Sequence, residues 1–259
     1  MSFFKRILNI SEDSVASGDK RKAPRHPVGQ TFPVKCVITL IGHDEDGNPL
    51  PDNAKGQDWT GRLVNMSTFG ASMQLHPAAS ARRGEPCTLR LSLGNSHLEI
   101  PGTIAQFRVY RDYALCGFSL QFPNFETQKS YLQLVEPVVF GSTLVPRATE
   151  KVVQDTPGLH KEEYLGRSDS HLTVWRDVRN NSLCGFDFRM RTYGVRWSSG
   201  MAELDTYGFT AGGHGDEGQV QHLSEAQQEE VRWLFCLAVP NLAKAVPSDA
   251  RKFLTQVVA

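Results

Sequence analysis

The stretch DWTGRLVNMSTFGASMQL, residues 58–75, decides the fold. Its two ends, DWTGRLVN and GASMQL, each read as a strand, and NMSTFG between them reads as the turn that ends one and starts the next. Working outward, FPVKCVITLI (32–41) alternates well enough for a preceding strand, with a polar, Gly- and Pro-rich connection over 43–57. Downstream, CTLRLSLG (87–94) alternates with period two, and LEIPGTIAQFRVYRD (98–112) and ALCGFSLQF (114–122) complete the series. Short strands at this spacing belong to a small antiparallel barrel or sandwich.

NFETQKSYLQLVEPVV (124–139) changes period. Phe125, Tyr131, Leu132 and Val135 share one helical face, and Pro137 is expected to stop the helix. Residues 141–160 are polar and Pro-interrupted and read as a linker. Beyond it, HLTVWRD, LCGFDFRM, YGVRWSS and AELDTYGFTA are strand candidates rich in aromatics, and GGHGDEGQ is a Gly-rich loop. Ser224 and Gln227 then fit a capping box, with Val231, Leu234, Phe235 and Ala238 on one face. A last helix is expected from about Ser248, with Phe253, Leu254 and Val257 inward. The class is mainly β with some α, and the second half is a smaller α+β domain ending in two helices.

Composition narrows the function. The 28 basic and 28 acidic side chains cancel, so no global field exists to hold DNA or RNA. Cys36, Cys87, Cys116, Cys184 and Cys236 are odd in number, scattered and without a CxxC, which suits a reduced cytoplasmic setting. The start lacks the pattern of a secretory signal, no apolar run approaches the ~20 residues of a membrane helix, and residues 1–19 are expected as a flexible tail. Several motif likenesses fail. GQDWTGRL imitates a phosphate loop but lacks its lysine and hydroxyl, and DEDGN lacks the distant bidentate glutamate of a calcium loop. His214 with Asp216 and Glu217 reads as a solvated loop before a metal site. Without HExxH, GxSxG or a set of nucleophile, base and orienter, an enzyme is not expected, nor is a cofactor.

Two motifs remain. KRKAPRH (20–26) holds Arg21 and Arg25 at the spacing RxxxR, and NMSTFG (65–70) is (D/N)xSxxG. The first arises by accident roughly once in such a chain, the second roughly 0.14 times. Both occur in order and in place relative to a strand. Together they resemble the PilZ family of cyclic di-GMP receptors. The likeness extends through Gly84, IPGTIAQF (100–107) and LCGFSLQF (115–122), covering about residues 20–140.

The resemblance implies a six-stranded antiparallel β-barrel closed by a helix, with cyclic di-GMP as ligand. Arg21 and Arg25 would fold over the nucleotide, since a guanidinium can fork onto guanine O6 and N7, stack on a base and pair with phosphate. Asn65 would meet a guanine edge, Ser67 would hydrogen-bond beside it, and Gly70 would supply an unusual backbone conformation or a close approach. Lys20 and Lys22 either assist with phosphate or stand solvated. The C-terminal domain (161–259) would relay binding to a protein partner. The alternative is a PilZ-fold interaction scaffold that never meets nucleotide, using Trp175, Trp197, Tyr193, Tyr207 and Phe209. NNSLCG (180–185) repeats (D/N)xSxxG with no RxxxR before it and reads as coincidence within a strand–turn–strand.

Overall fold

The computed structural model describes residues 3–8, 10, 23–41, 48, 56–210 and 219–258. Contacts divide the chain into two compact units, Met1–Lys5 with Asn9–Val135, and Arg6–Leu8 with Glu136–Ala259.

The first unit is a closed antiparallel barrel. Its strands are β1 (His26–Pro27), β2 (Lys35–Leu40), β3 (Gln57–Ser67), β4 (Gly70–Leu75), β5 (Pro86–Leu93), β6 (Ser96–Val109) and β7 (Ala114–Leu120). Six of them run in the order β3-β2-β5-β6-β7-β4, and β4 pairs back onto β3 to close the ring. β1 adds a short outer pairing, with His26 opposite Met66 and Pro27 opposite Asn65. The period-two alternation sends Cys36, Ile38 and Leu40, Leu89 and Leu91, and Ala71, Met73 and Leu75 inward, where all are almost fully buried. Cys36, Cys87 and Cys116 share this core as free thiols, and burial pushes each up to about 12, so they act as small hydrophobes.

Helix α1 (Phe125–Ser142) follows, opened by Asn124 Oδ1, which accepts the Thr127 amide at 2.8 Å. It runs through Pro137, where the sequence reading placed its end. An interior proline costs about 3 kcal/mol. Tyr131, Leu134, Val138 and Phe140 on the same helix are wholly buried, and each such side chain contributes about 1.5–3 kcal/mol. Burial wins.

The N-terminal segment also departs from expectation where it is described. Instead of hanging free as a tail, Phe4 and Leu8 are almost fully buried. The buried Gln133 side chain accepts the amides of Phe3 (2.9 Å) and Phe4 (3.1 Å) and donates to the Phe4 carbonyl (2.9 Å). Arg6 pairs with Glu230 at 2.8 Å.

The second unit is a seven-stranded antiparallel meander of β8 (Val145–Pro146), β9 (Leu159–Leu165), β10 (Ser170–Asp177), β11 (Leu183–Met190), β12 (Tyr193–Ser198), β13 (Asp205–Thr210) and β14 (Gln219–Gln221) in consecutive order. Helices α2 (Glu225–Ala238) and α3 (Ser248–Val258) complete it. Phe186 stacks on Phe235 of α2 at 5.7 Å, and Phe188 meets the same ring edge-on. At the head of α2, Gln227 Oε1 accepts the Ser224 amide at 3.1 Å. Arg176, 3% exposed, joins β10 to α3 through Asp249 (2.5 Å) and to β9 through Glu162 (3.0 Å).

The expected linker, residues 141–160, is instead structured along the edge of this sheet. β8 pairs with β9, and the Gln154 side chain bonds both the amide (2.8 Å) and the carbonyl (2.9 Å) of Lys161. Gln154 thereby supplies the donor and acceptor that a neighbouring strand would offer.

Gln133→Leu should remove the three bonds that hold Phe3 and Phe4. The expected result is a loss of roughly 1–3 kcal/mol in thermal unfolding and faster tryptic cutting at Lys5 and Arg6. An unchanged melting curve and cleavage pattern would contradict the anchoring.

Candidate functional site

The site begins with the β3–β4 turn. Ser67 and Gly70 face each other across it, Met66 opposes Ala71, and Asn65 opposes Ser72. The register slips between Leu63 and Asn65, leaving Val64 as an extra residue in β3. The Val64 carbonyl accepts the Val28 amide at 2.9 Å, which continues the β1 pairing and lays the leader along the motif strand. A bulge thus does two things here: it re-aims Asn65 and anchors the chain that carries Arg25.

Three of the expected site residues come together on this turn, and a fourth lies beside it. Asn65 is half-buried, and its Oδ1 is buried without a hydrogen-bond partner among the described residues. Ser67 is 6% exposed, and its hydroxyl donates to the Gly70 carbonyl at 3.2 Å. Arg25 is exposed, and its Nη1 reaches Ser72 Oγ at 3.4 Å, directly across the ladder from Asn65. It contacts that hydroxyl in preference to any carboxylate among the described residues. Arg21, Lys20 and Lys22 lie outside the described residues, as do His214, Asp216 and Glu217.

Gly70 resolves the choice left open by the sequence. A Cβ there would stand 2.5 Å from the Phe118 carbonyl oxygen on β7, so the requirement is for close approach between neighbouring strands. The Phe69 carbonyl, one residue earlier, accepts the Leu120 amide at 2.9 Å.

Sequence reasoning counted Tyr131 among the apolar residues of a helix face and missed its polar end. The side chain is fully buried, and its hydroxyl lies 3.1 Å from the Ser67 carbonyl and 3.0 Å from the Gly70 carbonyl. Burial pushes its ionisation up, so it stays a neutral donor. The available signal was chemical: a buried tyrosine needs a partner for its O–H, whereas Leu or Phe does not.

The second (D/N)xSxxG builds something else. Asn180 Oδ1 accepts the Ser182 amide at 2.9 Å and Asn181 takes a left-handed φ of 59°, closing the β10–β11 hairpin. Gly185 lies beyond the turn, inside β11 opposite Trp175 and Ser198. These residues line a cavity of about 460 Å³ in the second unit, with Trp197 and Met201. Tyr207, named for an interface, is 3% exposed and bonded to Asp187, and Trp197 packs on Phe253. No group of three or more metal-ligating side chains occurs among the described residues, and no helix there is long and apolar enough to cross a membrane.

Comparison with known proteins places the barrel. Residues 19–136 match the family model of the PilZ domain. Among solved structures, the PilZ domain of YcgR from Escherichia coli with c-di-GMP is similar at 12% identity and a TM-score of 0.32, over 43% of this chain and 85% of that one. The PilZ domain of CeSA from a cellulose-synthesizing bacterium aligns at 20% identity and 0.30, over 43% and 94%. The K. pneumonia MrkH–c-di-GMP complex aligns at 11% and 0.33, over 46% and 51%. No curated protein matches.

Gly70→Ala should strain the β4–β7 seam. A loss of about 1–3 kcal/mol in denaturant unfolding is expected, with the slope of the transition unchanged. Wild-type stability in this variant would show that the seam opens without cost.

Proposed function

With residues 19–136 a PilZ domain, we propose that the chain is a cyclic di-GMP receptor whose C-terminal unit passes the binding event to a protein partner. One observation carries this reading: the buried, unpartnered Oδ1 of Asn65, set beside a buried hydroxyl and an exposed guanidinium. A guanine edge presents N–H donors of the kind that oxygen lacks. The ligand also carries two phosphates, which the leader can meet with Arg25, Arg21, Lys20 and Lys22.

Each residue has a distinct part. Asn65 accepts from guanine, and Ser67 bonds beside it. Gly70 keeps the turn against β7 so that both stay in place. Arg25 is already held within one residue of β1, so its backbone loses little freedom on binding, and among the described residues its side chain has only a weak bond to Ser72 to exchange. Binding shifts the population of leader conformations, and the receptor works in the cytoplasm by recognition, without catalysis. The nucleotide-blind scaffold remains the outcome if no binding occurs.

Calorimetric titration with cyclic di-GMP tests this. Wild type should give a saturable isotherm, with Arg25→Ala weaker by roughly tenfold to a hundredfold, the worth of one charge-assisted bond. Ser67→Ala should be weaker by about tenfold. A wild-type protein that releases no heat and protects no amide at millimolar nucleotide would end the proposal.

A further inference from the structure

Resting on that reading, we infer that Gln106 is a further contact of the nucleotide site, a second carboxamide set opposite Asn65 across a low floor made by Ser72 and Gly117. The strand registers carry this. Asn65 on β3 stands opposite Ser72 on β4, Ser72 opposite Gly117 on β7, and Gly117 opposite Gln106 on β6. The four residues form one row over four neighbouring strands, about 14 Å from end to end at the strand spacing of a sheet. Both ends of the row are bulged. Val64 is the extra residue before Asn65, and Ala105 is the extra residue before Gln106.

Ala71, Met73, Cys116 and Phe118 turn into the core, so the middle of the row presents outward only the serine hydroxyl and the bare glycine. Each lies beneath a side chain from elsewhere. Arg25 Nη1 is 3.4 Å from Ser72 Oγ. Gln106 bends inward over Gly117, where a Cβ would stand 2.8 Å from its Cγ and 3.1 Å from its Nε2. Ser72 is 1% exposed and Gly117 is buried, whereas Arg25 and Gln106 are exposed. The floor is thus covered by two exposed side chains that can swing aside. A guanine seated there takes their place, stacks under Arg25 and has Asn65 at one edge and Gln106 at the other. Guanine carries donors and acceptors at its edges, and the Gln106 carboxamide has both to offer.

The test is a double-mutant cycle on the full chain: wild type, Gln106→Ala, Gly117→Ala and both, each titrated with cyclic di-GMP. Gln106→Ala should weaken binding about three- to tenfold, the worth of one neutral hydrogen bond, with an unchanged melting curve because the residue is exposed. Gly117→Ala should bind at least as weakly, because the new methyl raises the floor and expels Gln106. It should stay folded, since the atoms nearest that methyl all belong to the Gln106 side chain. The double variant should be no weaker than Gly117→Ala alone, the glutamine having already been displaced.

Wild-type affinity in Gln106→Ala, or two effects that simply multiply, would overturn the inference and leave the receptor reading standing. A wild type that does not bind at all would remove the receptor reading first, and this inference with it. Should Gly117→Ala not fold, or Gln106→Ala melt lower, the side-chain amide resonances of isotope-labelled wild type decide. Those of Gln106, assigned by their absence from Gln106→Ala, should shift on saturation with cyclic di-GMP, and signals that stay in place would refute the contact.

Discussion

The pairing of β3 with β4 closes the barrel, and the turn between them is the same six residues that hold the candidate site. Closure forces β4 to sit between two neighbours, with Gly70 opposite both Ser67 and Ser119. At that point the strands approach so closely that the Phe118 oxygen occupies the place of a side chain. The glycine is therefore fixed by the barrel before any ligand is considered. Asn65 and Ser67 inherit their positions from the seam. A site built there is rigid for a reason of fold.

Helix α1 shows what it takes to overrule a local rule. Its residues up to Val135 belong to the first unit and those from Glu136 to the second. Tyr131 bonds the β3–β4 turn, while Gln133, two residues later and so on the far side of the helix, bonds Phe3 and Phe4. Glu136 takes Arg191 at 2.6 Å, and the Phe140 carbonyl accepts Ser170 Oγ. The same helix buries Tyr131, Leu134, Val138 and Phe140 entirely, so the backbone bond lost at Pro137 is small beside what it keeps.

The same contrast explains how much could be read from the sequence. Strands β2, β5 and β6 were legible because buried and wetter positions alternate along them, so alternation survives in the residues. The capping box at Ser224 and Gln227 was legible because it is a local device. β9, LHKEEYL, was not, because its inward positions carry charge. Glu163 is 7% exposed yet bonded to Arg147 and Lys161, partners sixteen residues before it and two before it along the chain. Buried ion pairs erase the hydrophobic pattern. β8 and β14 are too short to carry any period. In the site, Asn65, Ser67 and Gly70 were legible as a spaced motif, whereas Tyr131 was hidden inside a helix pattern that uses only its ring.

The remaining question is why an unpaired oxygen should persist in a folded domain. Three buried side-chain atoms lack a hydrogen bond among the described residues: Asn65 Oδ1, Glu136 Oε1 and His171 Nε2. Two of them have an ionisable side chain opposite. Glu136 is ion-paired with Arg191, and His171 Nε2 faces the Glu163 carboxylate at 3.9 Å. For Glu136 the opposite charge is present and the missing bond is a matter of angle, whereas for His171 burial holds the ring's pKa down and favours the neutral form, which needs no opposite charge. Asn65 is neutral and forms no ion pair, so without a hydrogen bond among the described residues its oxygen stands at a cost of about 1–3 kcal/mol. Elsewhere this chain satisfies far harder cases, including the nearly buried Arg176 and the Asp187 carboxyl bonded to Tyr207. A fold able to pair those groups could have paired an amide. The position with the unfilled acceptor is also the one with a hydroxyl and a guanidinium beside it, which is the distribution expected when the missing partner comes from outside the described residues.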